Sequence, residues 1–170
     1  AGSVVVSILE GTRPLLVEIQ ALVSKTSFGY ARRRAQGFDY NRLTLLVAVL
    51  EKRIGLHLEA EDIFVNVAGG IKVEDPTADL AVCVAIASAF YERNILYDTV
   101  VLGEVGLAGE IRSISQVILR INEAEKLGFR RCILPRNNYK NLDYRKDNIE
   151  LIPVSALKEA LGIVLEEVKV

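Results

Sequence analysis

The chain has 170 residues, 51% of them hydrophobic and 25% charged, with 21 basic and 22 acidic side chains and a formal net charge of −1. Such a balance excludes a disordered chain and a uniformly basic nucleic-acid coat. The length suits one core that buries about 70% of the unfolded surface, and no apolar run reaches the roughly 18–20 residues that span a bilayer.

In chain order, Ser3–Glu10 is β-branched and ends at Gly11, and Pro14–Val23 alternates Glu18 and Gln20 against Val17, Ile19 and Ala21. A short Gly11-Thr12-Arg13 link makes these two runs a hairpin. Residues 24–36 are polar, aromatic and basic, which predicts a loop or irregular strand. Asp39 is placed to cap a helix over 40–53, with Leu43, Leu46, Val47 and Leu50 at helical spacing and Gly55 as its stop. Ile63–Val67 reads as a strand and Pro76–Glu92 as a helix apolar on nearly every side, hence central. Val100–Gly103 is expected to pair with Glu110–Arg112. Ser115–Leu127 reads as an amphipathic helix closed by Gly128, and Arg131–Pro135 and Ile149–Pro153 as short strands. Ser155 is expected to cap a last helix over 156–164. Strands and helices without a clean alternation predict an α+β fold. No linker or repeat interrupts it, so 4–170 reads as a single domain. Ala1-Gly2-Ser3 reads as a cloning remnant, and the missing initiator Met suggests a fragment.

Cys83 and Cys132 lie in apolar runs with no CxxC partner, as reduced core thiols of a cytosolic protein would. With the single His57 they cannot supply the four ligands of a structural zinc site. His57 also lacks the nucleophile and orienting acid of a triad. Gly103, Gly106 and Gly109 are spaced unlike GxGxxG or a P-loop, so no ATP site can be read here. Thr77 lies where a Gly-rich loop enters an apolar helix, with Lys72 nearby. A hydroxyl–lysine dyad is conceivable there, against a plainer reading in which Asp75 or Thr77 caps the helix and Lys72 is solvated.

Charge is segregated along the chain. Lys25, Arg32, Arg33, Arg34 and Arg42 face only Asp39 between 25 and 42, interleaved with Phe28, Tyr30, Phe38 and Tyr40. Residues 59–79 carry six acids and one cation, Lys72. Cations mixed with aromatics suit phosphate contact and base stacking, while a solvated loop or a subunit contact is the alternative.

Several blocks together resemble a known family. Pro14–Val23 (PLLVEIQALV), Gly37–Leu43 (GFDYNRL), Asp62–Gly70 (DIFVNVAGG), Gly103–Leu107 (GEVGL) and Ile111–Phe129 are similar to the C-terminal Lon-like domain of bacterial RadA, also called Sms. The resemblance implies a fold like the Lon proteolytic domain, related to the second domain of ribosomal protein S-five. It implies a non-proteolytic scaffold and oligomerisation module of a cytoplasmic bacterial DNA repair and recombination ATPase active in branch migration. Expected partners are copies of itself in a ring, hexameric in the parent, single-stranded or branched DNA, and the recombinase RecA. ATP, magnesium and a zinc finger would belong to the rest of the parent chain, with no cofactor in this part.

Against true Lon proteases, the nucleophile motif falls on Asp75-Pro76-Thr77-Ala78-Asp79 and puts Thr77 where serine belongs. The general-base lysine falls on Ile118, counted back from Gly128, with Ser115 and Gln116 replacing two glycines. Ile118 has no proton to exchange, and the nearby Arg120 stays protonated. The expectation is therefore no catalytic residue, with Lys25, Arg32, Arg33, Arg34 and Arg42 as DNA-backbone candidates. The competing readings are a peptidase using Thr77 and Lys72, or a peptide- or small-ligand-binding domain reusing the cleft.

Overall fold

The computed structural model describes residues 1–142 and 148–167. Its main sheet has seven strands, and the first of them, β1 (Ser3–Glu10), lies at the centre. The expected hairpin forms with β2 (Arg13–Lys25), antiparallel from Ser3 opposite Gln20 to Glu10 opposite Arg13. Val4, Val6, Ile8, Val17 and Ile19 are all buried, so the period-two pattern reports the core face. Gly2, just before β1, is held by both of its backbone polar groups. Gly2 N–H donates to Ser88 Oγ at 2.8 Å and its carbonyl accepts from Ala21 N–H at 2.8 Å. A Cβ on Gly2 would stand 2.4 Å from the Ala21 carbonyl oxygen, so only glycine fits.

The stretch expected to be loop or irregular strand is both in turn. After β2, residues 26–32 form a loop and β3 (Arg33–Gln36) then pairs parallel to β4 (Glu61–Val67), which pairs antiparallel to β2 on its other side. β3 is polar because it is an edge strand with one solvent face. Helix α1 (Tyr40–Val49) starts at Asp39, whose carboxylate accepts from Arg42 N–H at 2.9 Å. It ends in a wider π-helical turn, Leu50–Ile54, stopped by Gly55 in the left-handed region. A 3₁₀ turn at Pro76–Ala78 leads into α2 (Asp79–Tyr91), buried from Asp79 through Ser88. Its small residues, among them Ala81, Cys83, Ala85 and Ala87, let neighbours approach from all sides.

The second half is more regular than an α+β reading predicts. Strands β5 (Thr99–Val101), β8 (Arg131–Pro135) and β9 (Glu150–Val154) run parallel, giving the order β3-β4-β2-β1-β5-β8-β9. The result is a mixed α/β architecture. The expected pairing of 100–103 with 110–112 is replaced by a separate ribbon, β6 (Glu104–Val105) with β7 (Ile111–Arg112). β5 is instead taken up by the main sheet, where its three residues are fully enclosed. Helix α3 (Val117–Lys126) precedes β8, and the short α4 (Arg136–Lys140) follows it. The last helix, α5 (Leu157–Val164), is not capped by the Ser155 hydroxyl. Glu159 instead accepts from Ser155 N–H at 2.7 Å, while Ser155 Oγ accepts from Arg136 at 3.0 Å.

Candidate functional site

Two groups of polar residues stand out, and each is organised by an arginine and an aspartate. The first surrounds the Thr77 turn. Asp75 caps it, accepting from Thr77 N–H at 3.1 Å and from Leu9 N–H at 3.0 Å. Arg120 of α3 reaches the same carboxylate at 2.5 Å while only 1% exposed. Its remaining donors go to the Ser7 carbonyl at 2.9 Å and to the carbonyl and hydroxyl of Ser115, at 2.7 and 3.2 Å. Burial pushes the Asp75 carboxyl up, but these hydrogen bonds and the guanidinium charge outweigh it and hold the group below the usual carboxylate range.

Thr77 itself is buried, and among the described residues no lysine or histidine hydrogen-bonds its hydroxyl. Lys72 is in solvent and pairs with Glu74 at 3.7 Å, so the geometry matches the capping arrangement rather than a dyad. Ile118 is 45% exposed on the outer face of α3. The side chain that enters the turn from α3 is Arg120. It lies on the same helix face as the buried Ile121 and Ala124, and that charge within an apolar stripe was the available signal. A cleft of about 720 Å³ borders this region, lined by Phe38, Tyr40, Arg42 and Lys72 among others. Gly37 closes one wall, where a Cβ would lie 2.5 Å from the Ile71 carbonyl oxygen.

The second group lies across β2, β4 and β3. The segregated charges of the sequence are neighbours in space, because β4 lies between β2 and β3. Arg32 pairs with Asp62 at 3.4 Å. Arg33 turns to the other face, donating to the Leu58 carbonyl at 2.9 Å and to the Glu61 carbonyl, and pairs with Glu51 at 3.5 Å. The Arg42 guanidinium does not pair with Asp39. It grips Asp79, a carboxylate 1% exposed, through two nitrogens and donates to the Val105 carbonyl at 3.0 Å. The hydrogen bond to Asp79 holds the Arg42 guanidinium above its ordinary pKa, against the opposing effect of burial. Arg33 and Arg42 are thus tied into the fold, and of the acids in 59–79 Asp62, Asp75 and Asp79 are engaged by their own chain. Lys25, Arg32 and Arg34 project into solvent.

Asp62 ties down the loop between β2 and β3. Its Oδ1 accepts from Thr26 Oγ1 at 2.9 Å and from Arg32 N–H at 2.8 Å, and Thr26 N–H reaches the Ala60 carbonyl at 2.9 Å. Led by the Arg32 amide, these partners lower the Asp62 pKa. Sequence reasoning did not single out this residue, which follows Glu61 at the opening of an apolar strand.

Residues 44–138 match the family model described as subunit ChlI of Mg-chelatase. The chain is 50% identical over 165 residues to DNA repair protein RadA of Halalkalibacterium halodurans, covering 97% of this chain and 36% of that protein. The chain belongs to the ChlI family and is homologous to the C-terminal part of bacterial RadA. RadA of Listeria monocytogenes is 48% identical over 161 residues and that of Bacillus subtilis 50% over 161. The chain spans about a third of the length of these RadA relatives. No described helix is long and apolar enough to cross a membrane.

Proposed function

We propose that the chain is the non-proteolytic scaffold and DNA-contacting part of a longer RadA-type DNA repair ATPase. The carrying observation is the solvent-facing cluster of Lys25, Arg32 and Arg34 beside the Asp62-clamped loop. Arginine–phosphate contacts position a strand without reading its sequence, so contact here would be independent of base sequence. The names of the RadA relatives support the repair context. In this reading the fold is that of the Lon proteolytic domain, 4–170 act as one unit, and the protein works in the bacterial cytoplasm. Its copies form a ring, hexameric in the parent, that acts on single-stranded or branched DNA with RecA. ATP, magnesium and zinc are served by the rest of the parent chain.

Absence of proteolysis follows from the chemistry of the Thr77 turn. A nucleophilic hydroxyl needs a base to take its proton. The group delivered to this turn is a guanidinium, which cannot be deprotonated in proteins. Casein and fluorogenic peptides should remain intact, and cleavage that vanishes in Thr77→Ala would overturn this part of the reading.

The DNA part is tested in the full-length protein with Arg32→Ala/Arg34→Ala. Each lost phosphate contact should reduce the slope of log affinity against log salt by roughly 0.7 on single strands. An unchanged slope with the ring still assembled assigns these residues to solvation or subunit contact.

A further inference from the structure

The loop between β2 and β3 carries the two most exposed aromatic rings of the described chain, Phe28 at 93% and Tyr30 at 95%, on either side of Gly29. Exposed aromatics at a floppy tip would mean little, but this loop has a rigid base. Thr26 and Arg32 converge on the single carboxylate of Asp62, Thr26 N–H bonds Ala60, and Ile63 N–H bonds the Arg32 carbonyl at 2.8 Å. Because β4 separates β2 from β3, the loop must cross the start of β4, and its rings project from the sheet's end.

The adjoining sheet face is unusual too. The register places Leu22, Phe64 and Arg34 in one row across β2, β4 and β3, with Gln20, Asn66 and Gln36 in the next. Leu22 is 62% exposed and Phe64 half-buried, so apolar surface stays in solvent within reach of two arginines. Neither Lys25 nor Arg34 has an acidic partner among the described residues.

We infer that Phe28 and Tyr30 form a stacking site for unpaired nucleobases, fed by phosphate contacts from Arg32 and Arg34. This deepens the DNA-contact reading above and rests on it. Flat exposed rings, beside the unpaired Arg34 and Lys25 and the solvent-exposed Arg32, fit an occupant that is itself flat, apolar on its faces and anionic along one edge. A single strand has those properties. A duplex does not, because its base faces are already covered by their neighbours. Every base has a π-face, so the site is sequence-tolerant. Phe38 and Tyr40, which the sequence groups with these rings, do not share the site: Phe38 is buried, and both line the cleft beside Asp79.

The test uses the full-length protein and a short single strand carrying 2-aminopurine, whose fluorescence reports base stacking. The wild-type protein should change that fluorescence on binding. Phe28→Ala/Tyr30→Ala should lose most of the change and weaken binding about tenfold for each ring, with the salt slope unaltered. Arg32→Ala/Arg34→Ala should do the converse, flattening the salt slope while leaving a fluorescence change at saturation. If the aromatic variant binds and changes fluorescence as the wild type does, stacking is refuted while the backbone contact stands. If neither variant alters binding, both readings fall. If Phe28→Ala/Tyr30→Ala instead dissociates the ring, the tip is a subunit contact and the inference fails. Matching thermal unfolding of variant and wild type, expected because both rings lie in solvent, excludes misfolding as the cause.

Discussion

The Arg120–Asp75 and Arg32–Asp62 pairs use the same chemistry in opposite surroundings. Arg120 and Asp75 are both largely withdrawn from water, and their hydrogen bonds go to each other, to backbone and to the Ser115 hydroxyl. Arg32 keeps 61% of its side chain in solvent, and its aspartate serves chiefly to hold backbone in place. A buried pair is a structural commitment, because breaking it strands a charge in low dielectric. An exposed pair is worth little by itself and leaves its cation available to something else. The turn that resembles a proteolytic centre is therefore locked, and the solvent-facing charge lies at the sheet edge.

Arg120→Ala gives the sharpest way to break that contrast. It should cost about 3–5 kcal/mol in denaturant unfolding, the range for removing one partner of a buried pair. A cost below about 1 kcal/mol would show that the turn is not locked. Asp75 supplies a second handle through pH. Its folded pKa is depressed, so its contribution is complete above the ordinary value of about 3.9 and is lost as pH falls through the folded value. Asp75→Asn should flatten the acid limb of the stability profile below about pH 4, while the wild type loses stability there.

The neighbours Arg33 and Arg34 separate the two roles within one strand. Arg33→Ala should cost about 1–2 kcal/mol through its carbonyl partners, with little change in DNA binding. Arg34→Ala should change stability by no more than about 0.5 kcal/mol yet lower the salt slope. Equal effects of the two on both measurements would dissolve the distinction. At the loop base, Asp62→Ala should speed amide exchange at Thr26 and Arg32 about tenfold and open the Phe28–Tyr30 tip to proteases. The strands around it should stay protected.

How far the sequence discloses these arrangements depends on what each element owes to its neighbours. β1, β2, α1 and α2 are legible because their periodicities record burial on one face or on all of them. Edge strand β3 is obscured because it is short and polar, and its partner β4 lies almost thirty residues further on. The pairing of Glu104–Val105 with Ile111–Arg112 is a tertiary choice, since the stronger strand former, Thr99–Val101, is claimed by the main sheet. At the candidate site, composition alone located the cluster of cations but could not say which were already engaged. Arg42 gives Asp39 only its backbone N–H and sends its guanidinium to Asp79, because the N-terminal ends of α1 and α2 meet in space. Nothing local in the sequence encodes that meeting.

The central place of β1 has a consequence for how the molecule assembles. Its antiparallel partner β2 follows within three residues, whereas its parallel partner β5 arrives some ninety residues later. The early hairpin closes a short loop on a microsecond scale, but its apolar face waits for α2 and for the distant strand. During synthesis or refolding, Val4, Val6, Val17 and Ile19 are thus the surfaces on display for longest, the segment where nascent chains of this kind would first stick to one another.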